Sequence, residues 1–272
     1  MNLENYFISQ FKNAHIGDDG ALIDDTVYSK DAFFEGIHFK REWMSYYQIA
    51  AKAMSVNISD AIAMNAKPKY ALLSVAMPPY MTMAQMRELV SGFQETAAKY
   101  GIEIIGGDTI KNTKLDITVT VVSKTIKPLM RKGLRRGHMV AYSGELGRSA
   151  KDLKRLLNLG NIHKNSKFVN IKLRDKFVSK CSRYLSCGMD ISDGLFSDLG
   201  KLSSVNRMGF KFCRHVPKRV GCSGEEYEML FAFDKRNTKS VLRVAKLCRT
   251  PITIVAQSVR KSYKNRCKAH HF

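Results

Sequence analysis

Hydrophobic side chains recur at helical spacing in two stretches of the first half of the chain. Over residues 45–65 this spacing places Asn57 and Asp60 on one face together with apolar residues, which predicts an amphipathic helix. Residues 83–100 predict a second helix, and Gly101 is expected to end it as a C-cap.

Short apolar runs around these helices predict strands. Residues 69–77 form one run, which two prolines end, and residues 102–105 form another that leads into Gly106-Gly107-Asp108. Residues 115–123 alternate apolar and polar side chains, as a strand with one solvated face does. The first half of the chain is therefore predicted to be mixed α/β.

A basic, glycine-containing turn over residues 131–138 separates this half from the rest. Residues 139–143 then predict a new strand, and Asp193 is expected to cap a later helix. We therefore predict two domains, residues 1–137 and residues 138–272.

Positive charge is the one extreme feature of the composition. The chain has 272 residues, with 45 Lys and Arg against 24 Asp and Glu, for a net charge of +21. The basic residues are scattered through the second half, and no nucleic-acid-binding signature accompanies them. Solvated surface lysines explain most of this charge, and a nucleic-acid partner is not expected.

Location and cysteine usage give two further expectations. The N-terminal sequence has no secretory pattern and no apolar run is long enough to span a membrane, so a cytoplasmic protein is expected. The six cysteines all lie in the second half without any C-x-x-C pair, which favours reduced, buried thiols over disulfides or a zinc site.

Several carboxylates stand among small or apolar residues instead of on a charged surface. They occur in IGDDGA (16–21), NISDA (57–61), GGDT (106–109) and MDISDG (189–194). Each segment alone has an ordinary explanation, a turn for GGD and a helix cap for the last. Carboxylates in apolar surroundings are costly unless a partner or a metal neutralises them. Together they predict an oxygen-rich Mg²⁺ site that holds phosphates.

Common phosphate-enzyme motifs are missing from the chain. It has no G-x-x-x-x-G-K-[ST] loop, no protein-kinase motif set and no G-x-S-x-G nucleophile elbow. A phosphate enzyme with this sequence must therefore use carboxylate-bound metals, glycine backbone and a few basic side chains.

In order along the chain, seven segments resemble the thiamine-monophosphate kinase family, in the superfamily of aminoimidazole ribonucleotide synthetase and selenophosphate synthetase. They are IGDDGALI (16–23), SKDAFFEGIHF (29–39), KAMSVNISDAIAMNAKP (52–68), IIGGDT (104–109), PLMRKG (128–133), MDISDGLFSDLG (189–200) and SGEEYEMLF (223–231).

This resemblance implies an α/β fold of two domains, in which the N-terminal domain forms a barrel with a second copy of the chain. It also implies transfer of the ATP γ-phosphoryl group to thiamine monophosphate with several Mg²⁺ ions, and it names no general base. The implied metal ligands are Asp19, Ser29, Asp31, Asp60, Asp108, Asp190 and Asp193. The implied ATP contacts are Gly107, Asp108, Arg131 and Ser192, and the implied substrate contacts are His38 and Glu225.

The chain departs from the family pattern at three places. Lys30 replaces a Ser or Thr beside a metal-binding aspartate, and Ser223 and Glu226 replace a Gly and an Asp of one motif. The C-terminal segment also differs, so that an aromatic residue of the family's substrate pocket is either lost or replaced by Tyr263 or Phe272.

Two alternative functions stay open from the sequence. One is a superfamily enzyme acting on another phosphorylated or carboxylate substrate. The other is a non-catalytic relative that binds nucleic acid or another polyanion, which the positive charge would favour and the retained aspartates argue against.

Overall fold

A computed structural model of the chain describes residues 3–267, so Phe272 lies outside the described residues. The strands are β1 Ala21–Ile23, β2 Thr26–Phe34, β3 Lys67–Met77, β4 Glu103–Lys111, β5 Asp116–Lys124, β6 Met139–Ser143, β7 Cys187–Asp190, β8 Gly209–Phe212, β9 Met229–Phe233 and β10 Ile252–Val259. The α-helices are α1 Leu3–Ser9, α2 Tyr46–Ala63, α3 Met83–Tyr100, α4 Arg148–Leu157, α5 Asp175–Cys181, α6 Leu195–Asn206, α7 Lys218–Gly221 and α8 Thr238–Leu247. None of the helices in this part of the chain has the length and apolar character needed to cross a bilayer.

The first sheet has the strand order β1-β2-β5-β3-β4, and only β3 and β4 run parallel within it. Its inner face, which carries Phe33 and Val119, packs against α2. A capping box between Ser45 and Gln48 starts α2, and Gly101 ends α3 in the left-handed conformation, as predicted. The outer face of the sheet has no helix over it in the described chain, and Tyr70 lies exposed there.

The second sheet has the order β7-β9-β6-β10-β8 and is antiparallel throughout. Both faces of β9, the second strand in this order, are buried. Phe231 and Phe233 join the core that contains α5 and α8, whereas Leu230 and Ala232 join the core that contains α6. Two sheets with covering helices confirm the predicted α/β fold class.

The predicted division into domains at residue 137 stays a prediction. The segment between β5 and β6 joins the two sheets. One buried cluster nevertheless contains both Ile49 of α2 and Phe231 of β9. The two halves therefore share this cluster, although the separate cluster around α6 contains only residues from Leu134 onwards.

A disulfide joins Cys222 to Cys267, so the expectation that all cysteines are reduced is wrong for this pair. Their Cα atoms lie 5.6 Å apart although they are 45 residues apart in sequence. Local spacing rules cannot detect such a pair, because only the folded chain brings its members together. The C-terminal segment reaches Cys222 by crossing α6, where the Tyr263 hydroxyl donates to the Phe196 carbonyl.

Replacing Cys267 by Ser is expected to lower the free energy of unfolding of the oxidised protein by about 2–4 kcal/mol, the usual effect of opening a loop of this length. Urea unfolding with and without dithiothreitol measures the effect. Cys213→Ser, at an exposed free cysteine, is the matched control and should leave stability unchanged. Equal stability of Cys267→Ser and the oxidised parent would contradict the expectation.

Candidate active site

Four aspartates from separate parts of the chain converge between the two sheets. Asp19 lies in the loop before β1, Asp31 on the inner face of β2, Asp60 on α2 and Asp190 at the end of β7. One carboxylate oxygen each of Asp19, Asp60 and Asp190 lies within 4.8 Å of the others. Strand alternation turns Asp31 towards α2, and the helical face predicted from the sequence turns Asp60 towards the sheet.

Mutual repulsion makes this cluster of aspartates unfavourable without a counter-ion. Burial and the charge of Asp19 raise the pKa of Asp31, although a hydrogen bond with Asp60 opposes this. Burial and the charges of Asp31 and Asp190 raise the pKa of Asp60 well above its usual value. Burial and the neighbouring Asp19 likewise raise the pKa of Asp190. An all-oxygen donor set of this charge suits Mg²⁺, so the residues present fit the implied metal.

Arg131 holds the loop that carries Asp19. Its guanidinium Nη2 lies 2.5 Å from Asp19 Oδ1, and its backbone N–H donates to Asp18. The backbone N–H of Asp190 donates to the second oxygen of Asp19 at 3.3 Å. Burial raises the pKa of Asp18. Arg131 therefore brings positive charge to the edge of the acidic cluster.

A cleft of about 410 Å³ opens beside the cluster, with His38 and Glu225 in its walls. The backbone N–H of Phe34 donates to His38 Nδ1 at 3.0 Å, which places the proton of the neutral ring on Nε2. Aromatic rings of Phe33 and Phe168 also line the cleft.

Glu225 is held by a lysine that the sequence reasoning did not identify. Lys52 of α2 is fully buried, and its Nζ lies 2.8 Å from Glu225 Oε2. The same ammonium lies 3.7 Å from the centre of the Phe168 ring. The signal in the sequence is a charged residue inside the otherwise small and apolar run AAKAMS (50–55). Glu225 itself has φ +53°, a conformation that costs energy in a non-glycine residue.

The segment after β7 brings Ser192 and Asp193 to the same cleft. The predicted capping role of Asp193 is wrong, because Gly194 occupies the N-cap of α6 and no side chain caps the helix. The Asp193 carboxylate instead lies 2.6 Å from Lys201 Nζ. Ser192 is fixed through its carbonyl, which accepts from the Glu225 N–H.

Ser29 and Asp108 are not brought into the acidic cluster of their own chain. Ser29 is buried on the inner face of β2, and its hydroxyl donates to Asn57 Oδ1 at 2.7 Å. Asp108 is exposed and pairs in register with Ser74, which places it on the outer face of the sheet. Its strand β4 is three strands from β2, or about 14 Å at the usual spacing. The GGD segment continues a strand and is not a turn.

Gly107 allows β4 to approach β3 closely. It has φ +150°, and a Cβ built there would overlap the carbonyl oxygen of Leu73. The pairing of β3 and β4 shifts register just before this point, between Ala71 and Leu72. Gly107 therefore lets the backbone of β4 lie close to β3, and this backbone position fixes where Asp108 stands.

A Gly107→Ala substitution is expected to lower the free energy of unfolding by more than about 2 kcal/mol, because backbone must move to remove the overlap. Thermal unfolding measures this change. Gly101→Ala is the control, since its Cβ would meet nothing within 4 Å and only its φ of +66° is strained. The control should cost about 1 kcal/mol. Equal effects of both substitutions would refute the close-approach explanation.

Comparison with known proteins places this arrangement in a family. The family described as AIR synthase related protein, N-terminal domain, matches residues 17–125. The thiamine-monophosphate kinase of Leptospira interrogans is 30% identical over 266 residues, which cover 88% of this chain and 84% of that protein. This chain belongs to the thiamine-monophosphate kinase family.

Solved structures show the same fold. AaThiL complexed with AMPPCP and TMP superposes with a TM-score of 0.89 at 24% identity, covering 99% of this chain and 96% of that one. The thiamine monophosphate kinase of Aquifex aeolicus gives 0.83 at 23% identity, covering 96% and 93%. The thiamine-monophosphate kinase fold therefore extends over nearly the whole chain.

Lys30 departs from the family pattern without placing its ammonium in the acidic cluster. It follows Ser29 on β2 and thus points to the outer face, where its Nζ donates to Thr118 and Thr120 at 3.2 and 3.4 Å. The neighbouring Asp31 remains on the inner face. Strand alternation separates the substituted side chain from the carboxylates.

The other two departures contact each other. Ser223 Oγ donates to Glu226 Oε1 at 2.5 Å, and the same oxygen accepts from the Gly147 N–H at 2.7 Å. Lys167 Nζ lies 2.9 Å from Glu226 Oε2. This pair therefore supports the start of α4 behind the cleft.

Tyr263 does not complete the pocket, contrary to one of the possibilities drawn from the sequence. Its ring packs edge-to-face on Phe210 with centroids 5.2 Å apart, and it is not among the residues that line the cleft. Phe168, from the segment after α4, lines the cleft and was not expected to do so. Only the folded chain could reveal this position, because residue 168 belongs to none of the family motifs.

Proposed function

We propose that this chain phosphorylates thiamine monophosphate to thiamine diphosphate with ATP as donor. The observation that carries the proposal is the convergence of Asp19, Asp31, Asp60 and Asp190 beside a cleft, in a member of the thiamine-monophosphate kinase family. Four carboxylates in one place serve no purpose in a structural or polyanion-binding protein, whereas phosphoryl transfer needs metal-bound phosphates.

Asp19, Asp60 and Asp190 would hold Mg²⁺, with Asp31 beside them and with Asp193 at the cleft wall. Bound Mg²⁺ would neutralise the negative charge of the phosphate oxygens and orient the two phosphate groups for transfer. Arg131 adds positive charge at the same edge of the cluster. The phosphate of the acceptor is anionic at neutral pH, so the chain needs no general base.

The walls of the cleft suit the organic part of this substrate. Thiamine carries a cationic thiazolium ring, which an acidic group attracts. Glu225 supplies a carboxylate and His38 a polar ring, and the buried side chains of Phe33 and Phe168 form the apolar wall behind them. Gly107 and Ser192, with Asp108 and Arg131, are the proposed ATP contacts.

A homodimer joined through the outer faces of the first sheets would complete this site. Tyr28, Tyr70 and Leu72 share that face and are 39–43% exposed, which is unusual for large apolar side chains beside one another. Asp108 lies on the same face, where a partner chain would approach it. Ser29, the remaining proposed metal ligand, would contribute through its backbone, because its hydroxyl already donates to Asn57.

Single-turnover formation of thiamine diphosphate from ATP and thiamine monophosphate tests the function. Product should require Mg²⁺ and should be lost in Asp190→Asn and in Asp108→Asn. Mixing these two inactive variants should restore activity if Asp108 serves the partner's site, because a mixed dimer then has one intact site. Absence of product from folded wild-type protein would refute the proposed reaction, and failure of complementation alone would refute only the shared site.

A further inference from the structure

A second cavity, of about 770 Å³, lies between the start of β3, the end of β5 and helix α5. Seven lysines and two aspartates line it, and none of its residues lines the active-site cleft. The two cavities have opposite charge, since aspartates dominate the cleft and lysines dominate this one. We call it the lysine cavity.

The lysines of this cavity are arranged in ways that destabilise the free protein. Lys67 of β3 lies directly opposite Lys124 of β5 in the strand register. Lys176 and Lys180 lie four residues apart on α5, so they share a helical face. Like charges in either arrangement repel each other. Both pairs line the same cavity, although they come from distant parts of the chain.

Carboxylates of the protein neutralise only part of this charge. Asp25 lies 2.6 Å from Lys124 Nζ. Among residues 3–267, Lys67, Lys127, Lys176 and Lys180 form no ion pair within 4.0 Å. A multivalent anion in the cavity would remove repulsion that the folded protein otherwise retains.

We propose that the lysine cavity binds a compact oligophosphate, a chain of three or more phosphates. Its volume falls within the roughly 300–1,000 Å³ of small-ligand sites, and lysines from β3, β5 and α5 all contribute to its lining. Single-stranded nucleic acid usually needs exposed aromatic rings for base stacking. The one aromatic residue here, Tyr100, is partly buried, and Lys99 Nζ already lies 4.9 Å from its ring centre.

Titration calorimetry with inorganic tripolyphosphate in EDTA tests the proposal. Without Mg²⁺ the aspartate cluster of the active site repels phosphates, so binding under these conditions reports the lysine cavity. The double variant Lys176→Ala with Lys180→Ala is expected to weaken binding about ten-fold, through loss of two charge-assisted contacts. Lys239→Ala with Lys246→Ala, which removes the same charge from exposed positions on α8, should leave affinity unchanged.

A second variant distinguishes binding from folding. Lys67→Ala removes one side of the repulsive cross-strand pair, so the free protein should unfold at a higher temperature while its affinity for tripolyphosphate falls. Equal weakening by the α8 control, or the absence of any binding in EDTA, would overturn the proposal.

Two further ligands identify the source of the phosphate chain. Equal affinities for tripolyphosphate and ATP in EDTA would show that only phosphates are bound, and tighter binding of ATP would show that the nucleoside is also bound. Either result supports an oligophosphate site. Binding of a short RNA oligonucleotide more tightly than both, with the same sensitivity to Lys176 and Lys180, would overturn it in favour of nucleic acid.

Discussion

Asp60→Asn is expected to reduce phosphoryl transfer about 100-fold or more, while the metal-free protein becomes more stable at neutral pH. The loss of activity follows from removing one charged ligand from the proposed Mg²⁺ cluster. The gain in stability follows because burial and the charges of Asp31 and Asp190 make the ionised Asp60 unfavourable in the folded chain. Such opposite effects are a property of functional carboxylate clusters and not of structural ones.

The pH dependence of stability gives the same prediction a second readout. The pKa of Asp60 is raised on folding, so its stabilising contribution is complete below the unfolded pKa and is lost as pH rises through the folded value. The free energy of unfolding of wild-type protein in EDTA should therefore fall as the pH rises from the unfolded pKa through the folded pKa of Asp60. The fall should be smaller in Asp60→Asn. The gain at pH 7 is expected to be about 1 kcal/mol, or a rise of about 2–4 °C in melting temperature.

Thermal unfolding in EDTA and in Mg²⁺ separates this explanation from a general effect of removing charge. Mg²⁺ should stabilise the wild type more than Asp60→Asn. Asp25→Asn serves as the control, because a hydrogen bond from Lys124 lowers the pKa of this exposed carboxylate and its ionised form is favoured. Stabilisation by Asp25→Asn, or destabilisation by Asp60→Asn, would show that the repulsion argument is wrong.

Glu228→Gln is expected to lower the free energy of unfolding by about 3–5 kcal/mol, because it leaves the largely buried Arg174 without its counter-ion. Arg174 donates to both carboxylate oxygens of Glu228 at 2.7 Å, and Lys167 Nζ lies 3.1 Å from one of them. The Ser143 hydroxyl donates to the carboxylate at 2.6 Å. The Glu228 side chain is only 2% exposed, so water cannot replace these contacts.

The acid limb of the stability curve should change in this variant. Burial opposes ionisation of Glu228, but hydrogen bonding to Arg174 and the nearby positive charges outweigh it and lower its pKa. Its contribution is therefore present above the unfolded pKa and is lost as pH falls through the folded one. Urea unfolding at a series of acidic pH values should show that the free energy of unfolding of Glu228→Gln falls less steeply with decreasing pH than that of the wild type.

The matched control for Glu228 is an exposed ion pair. Glu145 lies 2.6 Å from Arg148, and both side chains are 66% exposed. Glu145→Gln should change stability by less than about 1 kcal/mol. A comparable effect of the two substitutions would mean that burial does not decide the strength of these pairs.

Local sequence patterns were sufficient to predict the elements that position the acidic cluster. Helix α2 was predictable because Asn57 and Asp60 recur at helical spacing among apolar residues, and α3 because Gly101 can adopt the left-handed C-cap. The family resemblance added the role of Asp19 and Asp31, which no periodicity could supply. The proposed ligands stay predictions until a metal complex is measured.

Sequence patterns failed where the decisive contact joined distant residues. The Cys222–Cys267 disulfide, the Lys52–Glu225 ion pair and the outward direction of Lys30 all depend on how the sheets and helices pack. The cytoplasmic location inferred from the sequence likewise stays a prediction.

The sequence by itself determined which side chains are candidates for the chemistry, because residue type and spacing along one helix or strand are local properties. Tertiary structure decided which of those side chains meet. It placed Asp60 with Asp190, put Asp108 on another face, and gathered lysines of β3, β5 and α5 around one cavity. The physical reason is that burial and charge repulsion act through space, so their sum at any residue exists only once distant segments have packed together.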